Sequence, residues 1–377
     1  MLIKGKYANA VIMENNLFNS LSSNPLYYSQ WFQTEKQIRE ILDSPCSENS
    51  YIAIMPDCHA GVGCCVGFTQ KFSNRVVPNF VGCDIGCGML YINIDKCEAR
   101  KINLEKLDKI IRQQIPSGDS KRSKILNCAE LIDYSKLNAP INKTKVMSSI
   151  GTLGGGNHFI EMNKDEDDNF YLVIHSGSRH LGYAVWEYWQ KVASSKRPNE
   201  VPEHFAWLEG EDLLHYIEDV KVCQQYSLIN KEAMAEIILS ELGVKSKNCE
   251  KYVTNHNYID LEHNIIRKGS INGAGHAIIP INMRDGSLLV NGKSTEEFNW
   301  SLPHGAGRLM SRAQAKESLK MEDYKESMKE IYTSCVKVST IDESPMAYKN
   351  IDFIKEQISE YANIISILKP IYNFKAS

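Results

Sequence analysis

The sequence predicts an α+β fold: a single intertwined domain with a mixed, largely β core, glycine-rich active-site loops and peripheral helices. Short apolar runs broken by glycines concentrate between residues 50 and 95, which is typical of strands joined by tight turns. Longer segments with apolar residues at helical spacing follow them. Glycine-rich polar stretches recur from residue 57 to residue 304 without a linker of disordered composition. We therefore expect one domain over residues 1–377, with a helical insertion or cap around residues 181–245.

The first half of the chain is predicted to be mainly β structure. The apolar run Tyr51–Met55 predicts a buried strand ending at Pro56, followed by a glycine-broken loop over residues 57–63. Asn103–Ile115 predicts an amphipathic helix, because its apolar residues recur at helical spacing. The polar segment 116–145 predicts loop and short helix. The other elements predicted here are a helix around Thr34–Leu42 and strands at Cys65–Thr69, Val76–Val81 and Met89–Ile94.

The second half is predicted to alternate strands with longer helices. Gly210–Leu242 predicts a long amphipathic helix, and Leu181–Ala193 predicts a shorter one before it. A helix is also expected to open at Ser301–Arg308 and to run through Met310 and Arg312, with two more helices after it. The C-terminal Lys369–Lys375 is expected to be extended. Strands are predicted at Phe170–Ile174, residues 252–258, Ile278–Pro280 and Leu288–Val290.

Composition places the chain among ordinary globular proteins, with 43% hydrophobic and 24% charged residues. The net charge of −3 gives no overall basicity that would indicate nucleic acid, although a local basic groove is compatible with it. The eleven cysteines are scattered and odd in number, which favours free thiols in a reducing compartment over a disulfide framework. No long uncharged apolar run and no apolar signal region are present, so a cytoplasmic protein without a membrane span is expected.

Six residues are candidates for a shared metal centre. Asp84 and Cys87 lie three residues apart among glycines, which would let both side chains turn toward one point. His158, His175, His256 and His304 each lie at the end of a strand-like run or in a glycine loop. Imidazole, carboxylate and a single thiolate suit zinc, manganese, iron or cobalt, and their dispersal favours a catalytic site over a structural one. The alternative is that each histidine is an ordinary core or surface residue and Cys87 fills a buried turn.

His304 has a different sequence context from the other histidines. It precedes a glycine loop and a predicted helix start, with Arg308 and Arg312 following, and such loops bind phosphate through exposed N–H groups. A histidine beside a bound triphosphate can itself attack, forming a phosphoramidate. The alternative is a histidine that caps the helix or only contacts phosphate. Gly154–Asn157 lacks the order of a P-loop, and Glu161 could accept from an amine or a guanine-like edge or simply be a solvated acid.

Nine stretches, in this order along the chain, resemble the RtcB family of RNA-splicing ligases, which join RNA ends using GTP and manganese. They are Met55–Gly61, Val81–Met89, Gly151–Glu161, His175–Arg179, His256–Tyr258, Arg267–Gly269, His304–Arg308, Asp342–Lys349 and the terminal Lys375.

The resemblance implies a role for each matching residue. His304 is the implied nucleophile that attacks the α-phosphate of GTP and carries GMP. The implied ligands of two Mn²⁺ ions, bridged by the thiolate, are Asp84, Cys87, His158, His175 and His256. The implied guanylate contacts are Asn157, Phe159, Glu161, Asn257, Tyr348 and Lys375, with Asp57 as a carboxylate near the nucleophile. Arg179 and Arg312 are the implied contacts to RNA or phosphate.

The implied reaction joins an RNA ending in a 2′,3′-cyclic phosphate or 3′-phosphate to an RNA with a 5′-hydroxyl. The cyclic phosphate is opened, GMP moves from His304 to the 3′-phosphate, and the 5′-hydroxyl then displaces GMP. Because His304 must be neutral to attack, activity is expected to fall toward acid pH. Two other classes compete: a metal-dependent phosphohydrolase without a covalent histidine, and a noncatalytic binding protein, which would predict a degraded ligand set.

The chain departs from the family pattern at a few positions. Ile281, Asn282 and Arg284 stand in a segment where the family often has Gly-Ser and Gly around the methionine, and His180 stands where glycine is usual. Val62 stands where some members have lysine. These departures bear on guanine contacts and RNA choice, and they suggest a divergent branch that repairs a particular cleaved RNA.

Overall fold

A computed structural model of the protein describes residues 1–13, 25–94, 96–197, 199–245 and 249–376, with the side chains of residues 96 and 97 excepted. Its strands are β1 Leu2–Lys4, β2 Asn9–Ile12, β3 Tyr51–His59, β4 Val66–Lys71, β5 Gly88–Ile94, β6 Phe159–Lys164, β7 Phe170–Ser176, β8 Lys251–Asn255, β9 Asn257–Asp260, β10 Ile265–Lys268, β11 Ser270–Asn272, β12 Ala274–Asn282, β13 Gly286–Lys293, β14 Ser301–Pro303 and β15 Ala362–Lys375. Its α-helices are α1 Pro25–Leu42, α2 Pro78–Val81, α3 Lys96–Ala99, α4 Leu104–Gln114, α5 Lys143–Met147, α6 Arg179–Lys196, α7 Gly210–Leu242, α8 Arg312–Ser318, α9 Met321–Ser327 and α10 Ile351–Ile358. Short 3₁₀ turns lie at Pro45–Ser47, Asn127–Leu131, Tyr134–Lys136, Glu203–Phe205, Glu296–Phe298, Val338–Glu343 and Pro345–Ala347.

Two large sheets carry most of the β structure. One has six strands in the order β1-β2-β3-β4-β10-β9, and the other has seven in the order β12-β13-β15-β6-β7-β5-β8. A separate ladder joins β11 to β14. In the seven-stranded sheet, alternate residues of β5 face opposite cores, as the two-residue period of a strand requires. Leu90 and Ile92 pack toward α4 and α7, whereas Met89 and Tyr91 pack against Ile278 of β12. The predicted α+β class with a largely β core is confirmed.

Helix α7 spans Gly210–Leu242, as its apolar spacing predicted, and ends at Gly243 in the left-handed conformation that glycine tolerates. It lies against α6, α4 and β7. Helix α4 was also predicted correctly and is capped by Asn103, whose side chain accepts from the Lys106 N–H. Of the helices predicted as an insertion or cap, α7 thus covers one side of the seven-stranded sheet, and α6 packs on α7. The assignment of residues 1–377 to one domain stays a prediction.

Three predicted elements were wrong. Val76–Val81 is not a strand: Val76 forms one isolated bridge to Leu208, and Pro78 then begins the helical turn α2, where proline at the first position fits. Strand β3 does not stop at Pro56 but continues to His59, with its register to β4 shifted between Ile54 and His59. Proline is tolerated at such an irregularity. Asp57 therefore lies in a strand and not in a loop.

The third error concerns the helix expected from Ser301 to Arg308. Ser301–Pro303 is strand β14, and the helix begins only at Arg312, where Ser311 and Gln314 form a capping box. Gly307, between them, has φ +71°, and a Cβ there would lie 2.2 Å from the Asp57 carbonyl oxygen. The close approach of the two backbones therefore excludes both a helix and a side chain at this position.

Among the described residues, none of the helices combines the length and the apolar character that crossing a membrane would require.

Candidate active site

Four neighbouring strands bring the candidate metal ligands to one edge of the seven-stranded sheet. Gly88, which follows Cys87, pairs with Ser176 of β7 and with Asn255 of β8. Phe159, which follows His158, pairs directly with His175. Because the ladder aligns these positions, the ends of β5, β6 and β8 place Cys87, His158 and His256 beside His175.

The donor atoms of these side chains lie within contact of one another. The Cys87 Sγ atom is 3.4 Å from His158 Nε2 and 3.3 Å from His175 Nε2, and the three side chains could hold a metal ion. His175 Nε2 lies 3.3 Å from His256 Nε2, and Asp84 Oδ2 lies 3.0 Å from His158 Nε2. All five predicted ligands therefore form one continuous cluster.

Hydrogen bonds fix which imidazole nitrogen faces this cluster. His158 Nδ1 lies 2.9 Å from the Leu153 carbonyl oxygen, and His175 Nδ1 lies 3.2 Å from that of Asn157. A carbonyl can only accept, so Nδ1 carries the proton and donates it, and the Nε2 lone pair points into the cluster. Burial lowers the pKa of His175 and His256 well below the ordinary value. Neutral imidazole is the form that binds a metal.

The two acidic members of the cluster respond oppositely to their surroundings. Burial, reinforced by the negative charge of Asp84, raises the pKa of the Cys87 thiol well above its ordinary value. Burial also opposes ionisation of Asp84, but its contact with His158, together with Cys87 and the charge of Arg179, holds its pKa below the usual range. A coordinated cation deprotonates a thiol outright, so the set of one carboxylate, one thiol and three imidazoles, two of them oriented through Nδ1, fits divalent metal ions. Gly177 is required here, because a Cβ would lie 2.0 Å from Asp84 Oδ1.

His304 borders this cluster and is held by a buried carboxylate. Its ring centroid is 4.8 Å from that of His256, and its Nδ1 lies 2.7 Å from Asp57 Oδ2. The same oxygen accepts from the backbone N–H groups of His304 and Gly305, at 3.1 and 3.2 Å. Asp57 is fully buried, whereas the His304 side chain is 15% exposed. The carboxylate therefore orients the ring through Nδ1 and leaves Nε2 free.

A cavity of about 460 Å³ opens beside His304. Of the predicted nucleotide-contacting residues, five line it: Asn157, Phe159, Glu161, Tyr348 and Lys375. Arg312, Ile281 and Asn282 line it as well, and Val62 stands at its rim with 86% of its surface exposed. Asp57 lies behind His304 and does not line the cavity.

Two of the other predicted positions, and one of the departures from the family pattern, face elsewhere. Asn257 binds backbone: its amide nitrogen lies 3.4 Å from the Asp84 carbonyl oxygen, and its side-chain oxygen accepts from the Gly269 N–H at 3.0 Å. Arg179 begins α6 at φ +55° and donates to the Gly118 carbonyl at 3.0 Å and to Thr152 Oγ1 at 3.3 Å. Arg284 pairs with Asp285 at 2.8 Å. The roles predicted for Asn257 and Arg179 stay predictions.

Sequence reasoning assigned no role to Glu343, which is the centre of the charged wall of the cavity. Its carboxylate contacts Lys375 Nζ and Arg312 Nη1 and accepts from the Tyr348 hydroxyl at 2.6 Å. Although burial opposes ionisation, the charges of Lys375 and Arg312 lower the pKa of Glu343 to about 2. The available signal was its place in the stretch Asp342–Lys349, which also contains Tyr348.

Glu161 lies on the floor of the same cavity in a different electrostatic state. It accepts from the side-chain amides of Asn163 at 3.1 Å and Asn373 at 2.7 Å. Burial raises its pKa to about 7, and these hydrogen bonds, with the nearby Lys375, only partly oppose the shift. Glu161 can therefore exchange a proton near neutral pH and accept N–H donors from a bound ring.

Comparison with known proteins gives one consistent result. A family model described as tRNA-splicing ligase RtcB matches residues 37–143 and 127–376. The chain is 32% identical over 368 residues to the RNA-splicing ligase RtcB of Escherichia coli strain K12, covering 85% of this chain and 89% of that protein. It is 28% identical over 355 residues to RNA-splicing ligase RtcB2 of another Escherichia coli strain, with 86% and 87% covered. It is 25% identical over 416 residues to the tRNA-splicing ligase RtcB of Nanoarchaeum equitans, with 85% and 87% covered.

Proposed function

The chain belongs to the RtcB family of RNA-splicing ligases, and from this premise we propose that it joins RNA ends through a guanylylated His304. The substrates would be an RNA with a 2′,3′-cyclic phosphate or 3′-phosphate and an RNA with a 5′-hydroxyl, with GTP as the source of GMP. One observation carries the proposal. His304 lies between the metal-ligand cluster and the 460 Å³ cavity, with Nδ1 occupied by Asp57 and Nε2 free to react.

Two Mn²⁺ ions would be held by Asp84, Cys87, His158, His175 and His256. The support is the convergence of three Nε2 atoms, one thiol and one carboxylate on a common region. When bound, such ions neutralise phosphate charge and make an attacking oxygen more nucleophilic.

His304 would act as the nucleophile in the first step. Its Nε2 lone pair attacks the α-phosphorus of GTP, a P–N bond forms, and pyrophosphate leaves with the electrons of the broken P–O bond. The ring becomes cationic during the attack, and Asp57, already 2.7 Å from Nδ1, stabilises that charge without moving. In the second step an oxygen of the RNA 3′-phosphate takes the GMP and His304 is released. The 5′-hydroxyl of the other RNA finally attacks the activated phosphate, and GMP leaves.

The cavity walls would bind the nucleotide. Glu161 is positioned to accept N–H groups of a purine edge, and Phe159 offers an apolar face beside Lys375, whose Nζ lies 5.6 Å from its ring centroid. Arg312 lies at the wall with its side chain 44% exposed, available to phosphate oxygens although it contacts Asp342 and Glu343. We propose that Asn257 contributes to nucleotide binding indirectly, because its side chain holds the backbones of Asp84 and Gly269 in place.

The test is covalent labelling with α-³²P-GTP and Mn²⁺, followed by denaturation. The wild type is expected to carry an acid-labile, alkali-stable label, as a phosphoramidate does, and His304→Ala is expected to carry none. His276→Ala is the matched control, because His276 is exposed on β12 and does not line the cavity. Label that persists in His304→Ala would contradict the proposal. Joining of a cyclic-phosphate RNA to a 5′-hydroxyl RNA, as opposed to release of phosphate, would then separate a ligase from a phosphohydrolase.

A further inference from the structure

Helix α7 carries a row of polar side chains into the interior behind the metal-ligand cluster. Ser227, Asn230 and Lys231 have no exposed surface, although most of the buried residues of the helix are apolar. Burying an ammonium group or an amide costs several kcal/mol, on the order of magnitude of a domain's whole stability, unless hydrogen bonds replace the lost water. The partners of these three side chains therefore indicate why the row is there.

Asn230 connects two of the segments that carry metal ligands. Its side-chain oxygen accepts from the N–H groups of Gly151 and Thr152, at 2.8 and 3.1 Å, in the loop that leads to His158. Its amide nitrogen lies 3.1 Å from the Thr152 carbonyl, 3.1 Å from Ser176 Oγ and 3.2 Å from the Gly177 carbonyl. The last two acceptors directly follow His175. One side chain thus fixes the His158 loop relative to His175.

Lys231 connects the segment of Cys87 to the same strand end. Its Nζ lies 3.4 Å from the Gly86 carbonyl, 3.3 Å from the Ser176 carbonyl and 2.7 Å from Ser227 Oγ. An ammonium group has three N–H donors, and these are three acceptors. Ser227 in turn donates to the Gly86 carbonyl at 2.6 Å. Gly86 immediately precedes Cys87, and Ser176 immediately follows His175, so the contact sets the separation of the two residues.

The fourth ligand segment is reached from the same helix. Gln224, one turn before Ser227, accepts from the Ile259 N–H at 3.2 Å, three residues after His256. Residues 224, 227 and 231 recur at helical spacing, so a single face of α7 contacts the segments of Cys87, His175 and His256. The segment of His158 is bound by Asn230 on the adjacent position.

We infer that Asn230 and Lys231 are positioning residues for the metal centre, which hold the segments of Cys87, His158 and His175 at the spacing that divalent-cation binding requires. The inference extends the proposed function, on which it rests for the identity of the ligands. Helix α7 would then not only cover the sheet but also hold the ligand segments of the site in position. Residues that orient metal ligands in this way typically account for about 10- to 100-fold in metal affinity.

The test compares Lys231→Met with Asp219→Asn in Co²⁺ titrations of the purified full-length protein. Methionine keeps the length of the side chain but loses all three donors. Asp219 is an equally buried polar residue of the same helix, and it accepts from the Asn138 and Ala139 N–H groups and from the Trp189 indole, away from the ligand loops. The readouts are the Co²⁺ dissociation constant, the thiolate-to-Co²⁺ absorption band and the melting temperature.

We expect Lys231→Met to bind Co²⁺ about 10- to 100-fold more weakly than the wild type and to show an altered absorption band. Asp219→Asn should lower the melting temperature by a similar amount to Lys231→Met but keep the wild-type Co²⁺ affinity and band. Ser227→Ala, a smaller change, covers the case in which Lys231→Met does not fold, and it should weaken binding about three- to tenfold. Wild-type affinity and band in Lys231→Met, or in Ser227→Ala if the former does not fold, would overturn the inference.

The labelling experiment keeps this outcome separate from that of the proposed function. A wild type that binds Co²⁺ through a thiolate but is never guanylylated contradicts the ligase mechanism, while the comparison of the helix variants still decides the inference. A wild type that binds neither Co²⁺ nor Mn²⁺ overturns both.

Discussion

His304 separates two regions that handle charge in different ways. On one side, the metal-ligand cluster consists mainly of buried neutral donors, with His175 and His256 kept uncharged and the Cys87 thiol raised in pKa. On the other side, Glu343, Lys375 and Arg312 are charged and already contact one another. The side chains of the cluster gain their strongest interactions only when a cation binds, whereas the charges of the wall already pair with one another within the protein.

Because of this difference, substitutions in the metal-ligand cluster should impair function, whereas substitutions in the charged wall should also lower the stability of the fold. Removing a ligand from the cluster takes away a thiol or imidazole whose lone pair makes no essential contact in the fold, so metal binding should fail while the protein stays folded. Removing one member of the charged wall leaves a buried partner without its counter-charge, which is destabilising by several kcal/mol as a rule of thumb. The four predictions below, from the largest expected effect to the smallest, test whether this contrast holds.

The largest effect is expected for Cys87→Ala. In the wild type, the Cys87 Sγ atom lies within 3.4 Å of the Nε2 atoms of both His158 and His175. Because a ligand near both histidines is lost, the rate of guanylylation should fall by about 10⁴-fold or more. Thermal stability without metal should stay near that of the wild type. The control is Cys83→Ala, an exposed cysteine of the same loop, which should label normally. Normal labelling of Cys87→Ala would show that the Cys87 thiol is not a ligand of the metal centre.

Asp57→Asn should have the next largest effect, lowering the rate of guanylylation about 10³-fold while GTP binding changes little. An amide cannot stabilise the cationic ring, and its NH₂ group competes with the N–H groups that now bind Asp57 Oδ2. Single-turnover labelling gives the rate, and equilibrium binding of GTP gives the affinity. Asp43→Asn, which alters an exposed carboxylate paired with the Lys6 N–H, should change neither. Equal losses of rate and GTP affinity in Asp57→Asn would mean that Asp57 holds the nucleotide and not the histidine.

The metal side of this contrast was more accessible from sequence than the charged side. Cys87 and His158 directly precede strands, His175 lies near the end of one and His256 follows one, and the antiparallel ladder brings these strand ends to one edge. Glu343 gave no comparable signal, because it lies in a 3₁₀ turn and its contact with Lys375 on β15 joins residues 32 apart in the sequence. Asp57 was recognised, but its strand was not, since a proline normally ends one. The polar row of α7 was hidden because the amphipathic pattern of a helix reveals its apolar side chains, not the partners of its buried polar ones.

Glu161→Gln should produce two effects of opposite sign. Because the pKa of Glu161 is raised to about 7 from an ordinary value of 4.5, the folded state binds the extra proton between these values. The wild type therefore loses stability as the pH rises through about 7, and glutamine, which resembles the protonated form, does not. We expect Glu161→Gln to be more stable than the wild type at about pH 8, by up to about 3 kcal/mol, with no gain at about pH 4.5. Denaturant unfolding at both pH values measures this difference.

The same variant should bind GTP about 10- to 100-fold more weakly, because glutamine cannot accept two N–H groups from the purine edge. Glu343→Gln provides the contrasting case. The pKa of Glu343 is lowered from an ordinary value of 4.5 to about 2. Its ionisation therefore stabilises the fold at pH values above 4.5, and that stability is lost as the pH falls from 4.5 toward 2. Glu343→Gln should therefore be destabilised at neutral pH, where Glu161→Gln is stabilised. Changes of the same sign in both variants would contradict the proposed electrostatic difference between the two carboxylates.

The smallest effect is expected for Tyr348→Phe, which removes one neutral member of the charged wall. The hydroxyl donates to Glu343 Oε2 at 2.6 Å and lies 3.3 Å from Arg308 Nη1, but Glu343 keeps its contacts with Lys375 and Arg312. We expect the GTP concentration for half-maximal labelling to rise about three- to tenfold, with the maximal rate nearly unchanged. Tyr332→Phe, at a tyrosine that is 43% exposed, should alter neither value. A fall in the maximal rate comparable to that of Asp57→Asn would instead place the Tyr348 hydroxyl at the reacting phosphate, and the charged wall would then take part in the chemistry and not only in nucleotide binding.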